Sequence, residues 1–203
     1  MLPVVKTRVS SRPTNEARRE NANARDRSYR DQLLKVGARL FAQHGVARVS
    51  VEQLVRGAGI SRATFYGFFE NKNELAAAVL APVFESGLAA FSQLRNLAPD
   101  DAANRLIDVY LDLWHEHRDA LLLSTNFDRA AFTYLEEQHN AFNAALKETL
   151  DKIDSGGLLR TDNVDLALGV IAKTAIPLLR VYKGSDELER LYRESMLALL
   201  IKD

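Results

Sequence analysis

Apolar residues recur along this chain at three- and four-residue intervals, punctuated by clusters of glycine, proline, serine and asparagine. That spacing predicts helices. No segment alternates apolar and polar residues for the length of a useful strand, and no internal repeat appears. The first periodic stretch covers 28–44, with Leu33, Leu34, Val36, Ala38, Leu40 and Phe41 holding the spacing and Gly45 placed to end it. A short pair follows at 51–58 and 62–69. A long helix is expected at 72–97, with Pro82 set to kink or break it. Pro99-Asp100-Asp101 stops it and restarts a helix at 102–116, with Leu106, Val109, Tyr110 and Leu113 on one face and Trp114 at its edge. A short apolar segment at 118–124 precedes a long helix at 129–153, capped by Asp128 and ended by Ser155-Gly156-Gly157. Residues 164–182 are apolar nearly all round, with Asp165, Lys173 and Arg180 the charges and Pro177 predicting a kink. Residues 185–201, capped at Ser185 and Asp186, carry a broad stripe of Leu188, Leu191, Tyr192, Met196, Leu199 and Leu200. The chain reads as all-α, with about nine helices.

The pattern says most between Ser50 and Lys72, SVEQLVRGAGISRATFYGFFENK. Ser50 with Gln53 three residues on is a capping-box start, which satisfies helix N–H groups that have no partner within the helix. Gly57 and Gly59 flank Ala58, where a sharp reversal is needed. Ser61 is placed to cap the second short helix, and Asn71 with Glu74 opens the long one. Helix, glycine turn, short helix is the helix-turn-helix arrangement. In it the second helix enters the DNA major groove and its first residues face base edges. The helix at 28–44 would pack the pair, which is too short to persist alone.

Composition sharpens this. With 203 residues the chain has room for one or two domains with a real core. Cysteine is absent, which excludes disulfides and thiolate metal sites. The opening residues lack the apolar run of a signal peptide, and no apolar stretch approaches the ~18 residues of a membrane span. The expectation is a soluble, cytoplasmic protein with no membrane partner. The formal net charge of zero conceals a division. Residues 1–72 hold 14 Lys/Arg and 6 Asp/Glu, a difference of +8; the remaining 27 − 14 = 13 basic and 27 − 6 = 21 acidic residues give −8. A basic end on an acidic body points to a polyanion for the first part only. Residues 1–27 form a basic, flexible arm with Arg8, Arg12, Arg18, Arg19, Arg25 and Arg27, part of which, from Asn15 on, extends the next helix in an alternative reading. Such an arm reaches phosphates or an adjacent minor groove, or only improves solubility.

From helix LLKVGARLFAQHG through SVEQLVRGAGISRATFYGFFENKNEL the chain resembles the tetracycline-repressor (TetR) family of transcription regulators. Gly59-Ile60-Ser61-Arg62-Ala63-Thr64-Phe65-Tyr66, followed by Phe69, Asn71, Lys72 and Leu75, is the most specific part, and the likeness covers residues 28–80. It implies a DNA-binding head at 28–75 and a ligand-binding, dimerising body at 76–203. Arg62, Ala63 and Thr64 would face bases or adjacent phosphates, and Tyr66 would hold a phosphate through its hydroxyl. Lys72 would contact the DNA backbone, and Ser50, besides capping, would touch a phosphate. Ser61 stands with these as the cap of the reading helix. Phe65 and Phe69 would be core. Gly67 and Phe68 depart from the family's usual polar or aromatic residue and histidine; Phe68 packs on a thymine methyl or the sugar backbone, or fills the core. Arg62 is the strongest candidate for specificity, since arginine pairs bidentately with guanine O6/N7.

Between residues 84 and 142 lie Phe84, Phe91, Tyr110, Trp114, Phe127, Phe132, Tyr134 and Phe142. All but Tyr134 are taken as candidate walls of a pocket for an apolar or aromatic ligand, with ordinary core packing as the alternative for each. Two adjacent apolar helices at the end are more than one small domain covers. They point to a homodimer through Ile171, Leu178, Leu188, Leu191, Tyr192 and Leu199. His115 and His117, two apart on a helix, point away from each other and make no metal site. His139 is surface or pocket wall. No nucleophile–base–acid set, phosphate loop or metal motif is present, so neither enzyme activity nor a cofactor is expected. The expected function is a ligand-responsive regulator, a repressor on double-stranded operator DNA released by a small-molecule effector. The alternatives are a helical carrier or enzyme with an incidental basic head, and an architectural DNA-binding protein without an effector.

Overall fold

A computed structural model describes residues 15–124 and 129–202, with side chains from residue 23 onward except that of Arg129. Phe127 and Asp128 therefore lie outside the described residues. The elements in order are α1 (Asn15–His44), α2 (Val51–Ala58), α3 (Arg62–Phe68), α4 (Lys72–Leu94), α5 (Pro99–Ser124), α6 (Arg129–Phe132), a 3-10 turn (Thr133–Leu135), α7 (Glu136–Ser155), α8 (Val164–Tyr182) and α9 (Leu188–Leu200). No strand occurs among the described residues. A single antiparallel bridge, Leu159 to Ile201, ties the end of the chain to the loop after α7.

α4 is the hub, packed on α1, α5 and α7, while α8 packs on α7 and α9. It is long and apolar enough to pass for a membrane span, but half of that window is buried inside the protein. It is a core helix. The small core of the head joins Leu33 and Phe41 of α1, Leu54 of α2, Phe65 and Phe69 around α3, and Leu75 of α4. α2 and α3 are too short to hold themselves. Full burial of Leu54 and Phe65 contributes about 1.5–3 kcal/mol each and replaces the missing local stability.

The glycine turn divides its labour. Gly59 takes the left-handed conformation, φ 65°, that ends α2. Gly57 is inside α2, and a Cβ there would stand 2.8 Å from Val36, so it lets α2 lie close on α1.

Several expectations change in detail. Helix continues back to Asn15, in line with the alternative reading of the arm, so the 27/28 boundary falls inside α1. α4 and α8 run through Pro82 and Pro177 unbroken; both prolines are exposed. The division expected between 102–116 and 118–124 is present as a kink at non-helical His117 (φ −130°, ψ 33°), while α5 as a whole starts earlier, at Pro99. The single helix expected at 129–153 is divided into α6, the 3-10 turn and α7. α9 starts at Leu188, not at a Ser185 cap: the Ser185 hydroxyl accepts from the Glu187 N–H at 3.1 Å and closes a turn before the helix.

Candidate nucleic-acid interface and ligand cavity

The head presents α3 with its first turn to solvent. Ser61 caps it by accepting from the Thr64 N–H at 3.0 Å, and the hydroxyls of Ser61 and Thr64 are 2.8 Å apart. Ser50 and Gln53 complete the expected capping box on α2: the Gln53 N–H donates to the Ser50 hydroxyl at 3.2 Å, and the Ser50 N–H to the Gln53 side chain at 2.8 Å. Arg62, Ala63 and Tyr66 are exposed, Tyr66 at 48%. Tyr66 packs edge-on against buried Phe65, ring centres 5.3 Å apart, which fixes the ring and leaves its hydroxyl outside. The Arg62 guanidinium lies over the Tyr66 ring at 5.7 Å and donates to the Glu52 carboxylate. Glu52 is not singled out by the sequence, because nothing in a one-dimensional pattern pairs residues across a turn.

Two candidates already have partners within the chain. The Lys72 ammonium donates to the carbonyl oxygens of Ala47 and Val49, each at 2.9 Å, before any DNA contact is considered. An ammonium still has an N–H to spare. Phe68 is half-buried against the core, so packing already occupies much of its ring. Gly67 has nothing within 4 Å of where a Cβ would stand.

The body holds a cavity of about 550 Å³ between α4, α5, α6, α7 and α8. Of the aromatic candidates, Phe84, Tyr110, Phe132 and Phe142 line it. Phe91 and Trp114 do not. Phe91 supports Phe142 from behind with ring centres 5.1 Å apart, and Trp114 is buried, with Arg118 over its ring at 5.1 Å. Burial of the Tyr110 hydroxyl raises its pKa, so it stays a neutral phenol. The other lining residues are mostly aliphatic, among them Leu80, Val83, Leu113, Leu146, Leu168 and Ile176, with Ser124 and Asn143 as polar members. A periodic pattern does not tell a leucine facing a cavity from one facing another helix. The polar wall is His139 with Asn143, one turn apart, the Asn143 amide 3.2 Å from a ring nitrogen. The His139 ring stands edge-on to Phe84 and Phe132, at 6.0 and 4.7 Å. Across the rim, Lys147 on α7 pairs with Asp165 on α8.

α4 and a hydrogen bond join the two regions. The Asn71 side-chain oxygen caps α4, accepting from the N–H groups of Asn73 at 2.9 Å and Glu74 at 3.1 Å. Its amide donates to the Tyr134 hydroxyl at 2.9 Å, two residues beyond Phe132 of the cavity wall.

α8 and α9 leave an apolar face uncovered. Leu166 is 60% exposed, Val181 72% and Leu199 39%, and Leu178, Leu188 and Leu191 are half-buried. Ile171 and Tyr192 do not belong to that face: both are buried in the subunit, Ile171 against the cavity. The helical stripes were assigned one face too many, since the inward side of each helix is equally apolar.

His115 is 3.4 Å from Glu189, and His117 Nε2 is 2.9 Å from the Ser86 hydroxyl. Among the described residues no cluster of three or more His, Asp or Glu is arranged to hold a metal.

Residues 33–79 match the family model for bacterial regulatory proteins of the tetR family. The chain is 26% identical over 173 residues to the HTH-type transcriptional repressor KstR2 of Mycobacterium tuberculosis, covering 79% of this chain and 84% of that one. The structure of the ketosteroid transcriptional regulator KstR2 of the same organism superposes with a TM-score of 0.70 at 20% identity, covering 86% of this chain and 95% of that one. The fatty acid degradation regulator FadR from Bacillus halodurans gives 0.68 at 16% identity, covering 84% and 94%. These superpositions establish a shared fold.

Proposed function

We infer that this chain, which belongs to the TetR family of bacterial regulatory proteins, is a transcriptional repressor that leaves its operator when a small apolar molecule fills the cavity of the body. One observation carries the reading: a single helix serves both ends. α4 starts beside the reading unit at Lys72 and lines the cavity with Leu80, Val83 and Phe84. From 72 to 84 is 12 residues, about 18 Å of helix. A displacement of α4 at the cavity therefore reaches the head as a tilt. Lys72 holds the loop before α2, and Asn71 holds the turn beside the cavity through Tyr134. The ligand acts only through its different affinity for the two positions of α4.

The cavity falls in the range of small-molecule sites, about 300–1,000 Å³. Its lining suits an apolar skeleton carrying one hydrogen-bonding group, met by His139 and Asn143. The names of the relatives, a ketosteroid regulator and a fatty acid degradation regulator, both refer to apolar skeletons. The uncovered face of α8 and α9 serves a twofold dimer, which sets two α3 helices about 34–36 Å apart on a near-palindromic site. The place of action is the cytoplasm, where operator DNA is found.

The test is a thermal-shift panel of steroids, fatty acids and aromatic acids, followed by DNA titration with any stabilising compound. A ligand at ~100 times its Kd adds about 2.7 kcal/mol of stability. The expected result is that the compound weakens DNA binding and that DNA weakens binding of the compound by the same factor. A compound that fills the cavity with no effect on DNA affinity would support a carrier instead.

A further inference from the structure

Arg62 does not project freely from α3. Its guanidinium donates to the carboxylate of Glu52, at the second position of α2, lies 3.4 Å from the Tyr66 hydroxyl and rests over the Tyr66 ring. Both partners face water, with side chains 60% and 53% exposed. A pair this exposed contributes little to stability. Its effect is on direction: it selects one orientation of a long side chain. The carboxylate stays ionised, its pKa lowered by its own backbone N–H and then by Arg62.

A lone arginine at a groove is indiscriminate. Its fork fits a phosphate as well as a guanine edge, and phosphates surround every base. A carboxylate beside that fork changes the balance. It repels an anionic phosphate more than the neutral O6/N7 edge of guanine, so it penalises the wrong contact more than the right one. The guanidinium still has N–H groups unspent by Glu52 and Tyr66.

We propose that Glu52 is a specificity-determining positioning residue, which directs Arg62 to a guanine in each half-site and withholds it from the phosphates. The proposal rests on the DNA-binding reading above. It is tested with the full chain and a duplex that the wild-type protein recovers from genomic fragments, by fluorescence anisotropy at fixed salt. Each G·C pair of the half-site is replaced in turn, and an unrelated duplex is titrated alongside. The proteins are wild type, Glu52→Ala, Arg62→Ala and the double variant. One guanine per half-site should cost wild type about tenfold or more on replacement. Arg62→Ala should erase that step. Glu52→Ala should shrink it severalfold while binding the unrelated duplex more tightly, and the double variant should match Arg62→Ala. A role confined to folding would weaken every duplex alike. Full retention of the guanine step in Glu52→Ala, or an equal loss on all duplexes, overturns the proposal and leaves the DNA-binding reading standing. A wild-type protein that discriminates between no duplexes removes both.

Discussion

Gly67 sits in the reading helix with open space where a Cβ would be, and its φ is not in the left-handed range. Glycine costs a helix roughly 1 kcal/mol relative to alanine. Gly67→Ala should therefore raise stability by about that amount in chemical denaturation; a destabilised variant would mean that the site is tighter than its geometry. The caps were legible here because capping is local: Ser50, Gln53, Ser61 and Asn71 each bond a backbone group at most three residues away. The Arg62–Glu52 pair and the Lys72 contacts were not, because they join residues 10 to 25 positions apart, brought together only by the turn. The sequence leaves Phe68 between core and DNA for the same reason. Its fate depends on what packs against it, and the core takes much of it.

Helices ended by glycine or opened by a capping side chain were placed almost to the residue, as with α2 and α8. Where a third element imposes the boundary, periodicity is silent. No glycine or proline marks the break between α6 and α7. Leu135 is drawn into the core at φ −125°, ψ 5°, while Phe132 faces the cavity and Tyr134 reaches Asn71. The same division makes the 3-10 turn a second link between cavity and head, parallel to α4. Tyr134→Phe removes that hydrogen bond and leaves the exposed ring in place. Its expected phenotype is selective: unchanged affinity for DNA alone and for the ligand alone, but a smaller loss of DNA affinity when both are present. A Tyr134→Phe protein with the full ligand effect would leave the coupling to α4 alone.

Across the whole molecule, the division of charge and of helix type already separated a basic reader from an acidic, apolar body. The fold class followed from periodicity alone. Two properties of the body did not. Which aromatics line the cavity and which support it from behind depends on helix rotation, and this separates Phe84, Tyr110, Phe132 and Phe142 from Phe91 and Trp114. Likewise α8 divides its surface between cavity, α9 and water. Ile171 is turned inward, as is Tyr192 on α9, while Leu166 and Val181 are exposed.

All of these roles presuppose that the head reads DNA by sequence. The most direct measurement is the affinity of the full chain for a duplex it recovers from genomic fragments, set against a scrambled duplex of equal length and composition at the same salt. The expected result is a near-palindromic site, bound by a twofold dimer, with a preference of about 10³-fold or more. A ratio near one, or no recovered duplex, would contradict it.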